Sequence, residues 1–157
     1  MKLHVGKLIG SLVLCQLAGL IGGLWTREAV RTWYQAIEKP GFTPPGWVFG
    51  PVWILLYLMM GVALYLVWLS PAHPSKTIAL AVFAVQLILN ALWSYFFFYS
   101  QNPRAGFIEI VILWVFIILS ILLFYRIHKG AAMIMLPYLL WVTFAAYLNY
   151  SIWMLNQ

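Results

Sequence analysis

Apolar residues fill this chain in long runs, and its few charged positions mark where those runs stop. Charges fall at Lys2, Lys7, Arg27, Glu28, Arg31, Glu38, Lys39, Lys76, Arg104, Glu109, Arg126 and Lys129. A helix needs roughly 20 apolar residues to cross a bilayer, and the intervals between these clusters have about that length. Reading from charge to charge and trimming at proline and glycine predicts five spans, near 8–26, 47–69, 77–100, 105–125 and 131–155. Composition agrees, because a chain 65% hydrophobic and 8% charged has too little polar surface to cover a water-soluble globule of this size. The expectation is an all-α integral membrane protein, a single domain over 1–157, folded as a compact bundle of five transmembrane helices.

The first run follows Lys2 and Lys7, as a signal-peptide core would. It is longer than such a core and has no convincing small-x-small cleavage site, so it reads as a retained helix. Cys15 is the only cysteine, which excludes an intrachain disulfide and leaves it as a packing residue. The net charge of +6 is spread over the span ends, which suits lipid headgroups and not nucleic acid. Five spans place the N-terminus and the loops at 70–76 and 126–130 on one side. The first loop, the 101–104 turn and the C-terminus fall on the other. The first side carries Lys2, Lys7, Lys76, Arg126 and Lys129, and the second Arg27, Arg31, Lys39 and Arg104, a small bias that puts the N-terminus inside. A prokaryotic cell membrane is the expected home, with an organellar membrane as the alternative.

The first loop is unlike the others. Pro40, Pro44, Pro45 and Pro51, with Gly41, Gly46 and Gly50, are expected to forbid a continuous helix until after Pro51. Trp33, Trp47 and Trp53 add large rings that are comfortable at a membrane surface. Residues 27–46 read as a stiff, tryptophan-rich lid over a flat ligand.

Depth can be counted from the lid side, because a helix rises 1.5 Å per residue. Tyr57 lies ten residues from Trp47, Asn90 ten from Ser100, and Ala145 ten from Leu155. All three therefore sit at a depth of roughly 15 Å. Neighbours at i±3 and i±4 extend these positions into stripes: Trp53, Tyr57 and Gly61; Gln86, Asn90, Trp93 and Phe97; Trp141, Ala145 and Asn149. The pattern predicts a cavity walled by Trp53, Trp93 and Trp141, with amides at Asn90 and Asn149, roofed by the loop around Trp33 and Trp47. Such a space suits a planar aromatic ligand. The competing role for Gln16, Gln86, Asn90 and Asn149 is to bond one helix to another. Trp25, Trp68, Trp114 and Trp153 lie near span ends or outward faces and read as an interfacial belt.

Conventional active-site chemistry is missing from this pattern. His4, His73 and His128 all fall on the side away from the lid, so none can serve as an axial ligand in the cavity. There is no carboxylate pair, serine–histidine dyad, phosphate-binding glycine loop or metal cluster. Glu109, the one acid expected inside a span, is predicted to snorkel or to pair with Arg104. Gly19 and Gly23 form a Gly-x-x-x-Gly that permits close helix packing, within the chain or between chains.

These residues resemble the tryptophan-rich sensory protein and translocator protein family, also called the peripheral benzodiazepine receptor family. The resemblance covers nearly the whole chain. It rests on Trp33-Tyr34, Glu38-Lys39-Pro40 and the run from Thr43 through Gly46-Trp47 to Gly50-Pro51-Val52-Trp53. It extends through Leu56-Tyr57, Met60-Gly61, Gln86-Leu87, Asn90 to Ser94, Pro137 to Trp141, Phe144-Ala145 and Leu148-Asn149. It implies a five-helix bundle, usually a homodimer, whose pocket opens toward the first loop. In the family that pocket binds porphyrins, benzodiazepine-like and isoquinoline drugs and, in some members, sterols. By position it implies a pocket lined by Trp53, Tyr57, Asn90, Trp93, Trp141 and Ala145, with Trp33 and Trp47 in porphyrin handling. Two departures matter. Gly41-Phe42 stands where some members carry tryptophan after the Lys-Pro pair, and Tyr150 lacks the following basic residue of the animal sterol pattern.

The leading expectation is a membrane receptor or sensor for tetrapyrroles, with porphyrin as ligand and no cofactor required. The site residues expected to contact that ligand are Trp33, Trp47, Trp53, Tyr57, Asn90, Trp93, Phe97, Trp141, Ala145 and Asn149. An alternative is an enzyme that degrades porphyrin oxidatively in light, for which Trp33 and Trp47 are the only catalytic candidates. A third is a transporter or its structural partner, although no inverted repeat or pair of broken helices is visible.

Overall fold

The computed structural model describes residues 4–157, so Lys2 lies outside the described residues. Helix α1 runs Val5–Arg31, α2 is the single turn Trp33–Ala36, and α3 runs Gly46–Leu69. Helix α4, Lys76–Ser94, continues into a π-helical turn at Tyr95–Tyr99. Helix α5 is Pro103–Ile127, and the last span is divided into α6, Lys129–Ile134, and α7, Leu136–Leu155. Five of these segments are long and apolar enough to cross a membrane, with α6 and α7 counting as one.

Each break has a local cause. Asn102 caps α5 by accepting from the Ala105 N–H at 3.0 Å, and Pro103 follows at the position where a missing N–H costs nothing. Gln101 turns the chain there with φ of 51°. His128 caps α6 through Nδ1, which accepts from the Ala131 N–H at 3.1 Å. Pro137, in the first turn of α7, has no N–H to continue the ladder from α6, and the two helices part at Met135.

Two expectations need correction. Residues 27–31 belong to α1, so the lid is shorter than 27–46; nothing in Arg27 to Arg31 breaks a helix, and charge requires only that this turn leave the hydrocarbon. Helix α3 also starts at Gly46, ahead of Pro51. Pro51 lacks only the N–H that would bond the carbonyl of Trp47, and that residue is 77% exposed, where solvent can satisfy the carbonyl.

The helices close a ring in which α1 touches α3 and α4, α5 touches α4 and α7, and α3 meets α6. Small residues line the inner face of α1, where Ser11, Cys15, Ala18 and Gly22 are buried, while Val13, Leu17 and Leu24 face outward. Large side chains in lipid lose nothing to water, so close backbone packing and interhelical hydrogen bonds carry association. Toward α6 the backbone of α3 packs closely. Toward the lid α3 and α7 meet through rings instead, Phe49 on Trp141 at 5.9 Å and Trp53 on Tyr138 at 6.5 Å between centroids. That looser half of the bundle is hollow.

Candidate functional site

The hollow is a cavity of 350 Å³ between α1, α3, α4 and α7, beneath the lid. Its wall includes Trp53 and Tyr57 from α3, Asn90 and Trp93 from α4, Phe97 from the π-helical turn, and Trp141, Ala145 and Asn149 from α7. The i, i+4 spacing that placed these residues in stripes brings them to one space. Trp93 and Phe97 stack with centroids 5.2 Å apart and planes at 20°, and Trp53 stacks over Tyr57 at 5.7 Å and 30°. The wider π turn sets Phe97 inward, 2% exposed, beside Trp93.

The polar atoms near this wall are tied together. Tyr57 donates its hydroxyl to Asn90 Oδ1, Asn90 Nδ2 donates to the Tyr138 hydroxyl at 2.8 Å, and Tyr138 donates to Gln86 Oε1 at 2.9 Å. One hydrogen-bonded line thus joins α3, α4 and α7 at the depth predicted for Tyr57 and Asn90. Nearer the lid, Trp93 Nε1 donates to Asn149 Oδ1 at 3.0 Å, and Asn149 Nδ2 donates to the Pro103 carbonyl at 2.7 Å. The interhelical role weighed for these amides is therefore present, and it holds the aromatic wall in place. One donor is left over: Trp141 Nε1 is buried and has no hydrogen-bond partner. A buried N–H without an acceptor is costly.

Trp33 and Trp47 stand outside the cavity wall. Trp33 packs edge-on against Phe97 at 5.6 Å, one ring removed from the wall. Trp47 projects from the start of α3 into the surroundings. The lid contributes Tyr34 instead, which meets Phe98 at 5.6 Å and is fixed from below by Lys39, whose ammonium donates to the Tyr34 carbonyl at 2.6 Å. Burial raises the Tyr34 phenol above its ordinary value, so it stays a neutral O–H group at physiological pH. Gly61 and Gln86, members of the predicted stripes, lie away from the cavity: Gly61 faces Leu12 of α1, and Gln86 reaches Tyr138.

Sequence reasoning missed the α1 wall and the hub at Tyr138. Gly19, Leu20 and Gly23 of α1 border the cavity, and Gly19 leaves room for the Tyr57 ring, whose Cε2 would stand 2.5 Å from an added Cβ. Tyr138 continues the 141/145/149 stripe one turn back, a signal that spacing alone contained. Glu109 departs from expectation: it is buried, and both carboxylate oxygens lack a hydrogen-bond partner, so Arg104 does not pair with it. Its place on the inner face of α5, between Gly106 and Leu113, turns it away from the interface it was expected to reach. Among the described residues no group of three His, Cys, Asp or Glu is arranged to hold a metal ion.

Comparison with known proteins identifies relatives of this arrangement. The family model described as TspO/MBR matches residues 11–154. The chain is 42% identical to Tryptophan-rich protein TspO of Archaeoglobus fulgidus, over 98% of this chain and 99% of the relative. It is 33% identical to Protein CrtK of Rhodobacter capsulatus over 92% of this chain and 89% of that one. It is also 31% identical to the Translocator protein of Bos taurus over 95% and 89% respectively.

Proposed function

This chain belongs to the TspO/MBR family of integral membrane proteins, and from that premise we propose that it is a membrane receptor or sensor that takes a planar tetrapyrrole into the cavity beneath its lid. The observation that carries the reading is an apolar cavity of 350 Å³ beneath the lid, walled by Trp53, Trp93 and Trp141. That volume lies in the range of about 300–1,000 Å³ usual for small-molecule sites. The stacked pairs Trp93–Phe97 and Trp53–Tyr57 offer ring faces to a flat macrocycle. Arg27, Arg31 and Lys39 at the lid end supply cations for its acidic side chains, so the macrocycle enters edge first with its carboxylates outward.

The test is a titration with protoporphyrin followed by tryptophan quenching, in light and in darkness. A receptor binds and leaves the macrocycle band intact in both, and Ala145→Leu, which fills the floor of the cavity, weakens binding at least tenfold. Equal binding by the parent and Ala145→Leu places the ligand elsewhere and defeats the proposal. Loss of the macrocycle band in light alone would favour the enzyme reading. Trp33 and Trp47, its candidate relays, lie outside the cavity wall.

A further inference from the structure

On the membrane side away from the lid, a second hollow, of 370 Å³, opens between α1 and α4 above Leu64 of α3. Every residue lining it is apolar, and Leu14 and Ile88 on its rims are 51% and 61% exposed, so it faces lipid. Its mouth is cationic. Lys7 holds its ammonium 5.5 Å from the centre of the Trp68 ring, and Lys76 donates to the carbonyls of Trp68 at 2.8 Å and Ser70 at 2.6 Å. Helices α1 and α4 run in the same direction and touch where Gly22 meets Ala91. Lys7 lies fifteen residues before Gly22 and Lys76 fifteen before Ala91, which puts their backbones at one level.

No carboxylate of the chain stands at this end. Its three acids are Glu28, Glu38 and Glu109, all in the lid half, whereas Lys7, Lys76, Arg126 and Lys129 are gathered here. Carbonyls and a ring face meet Lys76 and Lys7 within the chain, but a full negative charge for them comes only from outside it. We propose that the groove holds an acyl chain of one anionic glycerophospholipid, with the lipid phosphate on Lys7 and Lys76 beside Trp68. On α4 the groove runs from Leu80 to Ile88, eight residues, or about 12 Å of rise. Lys76 stands one turn beyond it, so groove and headgroup site together fit within about one leaflet of a hydrocarbon core of about 30 Å. A second copy of the chain fits less well. A two-fold axis along the membrane normal preserves depth, so it would set these lysines against the same lysines.

The purified chain, titrated with phosphatidylglycerol or with phosphatidylcholine of identical acyl chains, is read by native mass spectrometry. The parent should retain one phosphatidylglycerol with about thirtyfold preference, the factor that two lysines near an anionic phosphate supply together. The pair Lys7→Gln with Lys76→Gln should abolish that preference, the Arg pair should restore it, and Ala84→Trp, which fills the groove from an exposed position, should reduce retention of both lipids. Helicity and monodispersity check the fold of each variant. Equal retention of the two lipids by the parent overturns the proposal. So does an equal loss of preference in a control pair, Arg126→Gln with Lys129→Gln, which would reveal general surface charge. Loss of a dimer on groove filling, without any change in lipid retention, also overturns it by making the groove a protomer interface.

Discussion

Single side chains in this molecule divide by whether their polar atoms are already spent. Asn90, Asn149, Tyr57 and Tyr138 are engaged with one another or with the backbone, whereas Trp141 Nε1 and the carboxylate of Glu109 are buried without partners. Two of the three wall tryptophans, Trp53 and Trp141, should therefore respond differently to replacement. Trp53→Ala removes a ring from the centre of the cavity and should weaken porphyrin binding roughly thirtyfold, the equivalent of about 2 kcal/mol at a well-packed contact. Trp141→Phe keeps an aromatic ring but loses the N–H and part of the indole, so the loss should be nearer fivefold, about one hydrogen bond with a little ring contact. Titrations of the two variants in parallel decide whether the orphan N–H meets the ligand; an unchanged Trp141→Phe says it does not. Glu109 lends itself to a stability test instead. Removing a buried acid with no partner relieves a desolvation cost, so Glu109→Met should raise stability by about 1 kcal/mol or more. A lower thermal midpoint for that variant would mean that the carboxyl has a partner.

At the scale of helices, spacing in the sequence revealed level better than rotation. Counting 1.5 Å per residue from the lid interface placed Tyr57 and Asn90 at one depth, and their hydrogen bond shows why that arithmetic works: straight spans that cross one slab share one ruler. Rotation about each axis needs a marker on the inward face. Polar and aromatic residues marked α3, α4 and α7, but the inner face of α1 is marked by smallness at Cys15, Ala18 and Gly22, which a composition-based reading treats as background. Helix ends were legible only where a breaker stood, so the 27–31 turn of α1 passed for loop. Gly61 was read as a stripe member facing ligand, yet it is a contact point between helices: an added Cβ would lie 2.9 Å from the backbone Cα of Leu12. Backbone cannot rotate away, so Gly61→Ala should push α1 from α3 and cost about 1–3 kcal/mol. A Cβ added at Gly23 would meet nothing within 4 Å, and Gly23→Ala should stay within about 1 kcal/mol of the parent. Thermal unfolding of both variants in one detergent gives the comparison, and equal midpoints would show that α1 and α3 adjust freely.

Over the whole molecule, the lid half and the opposite half are built for different partners. The lid half has the cavity, the three acids and a loop fastened to the C-terminal helix; the other half has the lipid-facing groove and cations with no acidic side chain beside them. A homodimer remains our proposal, but the Gly-x-x-x-Gly does not locate its interface, because Gly19 is occupied by Tyr57 and Gly22 by Ser94 of the same chain. The fastening of the lid also fixes topology. The Glu38 N–H donates to Asn156 Oδ1 at 3.0 Å, and Asn156 Nδ2 donates back to the Glu38 carbonyl at 2.9 Å, so the first loop and the end of α7 touch. An odd number of crossings from the start of α1 to the end of α7 requires the N-terminus to lie across the membrane from both. Single cysteines at Gln35 and Gln157, in a Cys15→Ser background, should then react with an impermeant thiol reagent from the same face, and a cysteine at Ser75 only from the other. Replacing Asn156 by Ala removes both bonds to Glu38 and should speed labelling at Gln35 while leaving its sidedness unchanged. Labelling of Gln35 and Gln157 from opposite faces would rule out five crossings, and with them the placement of the cavity beneath the lid.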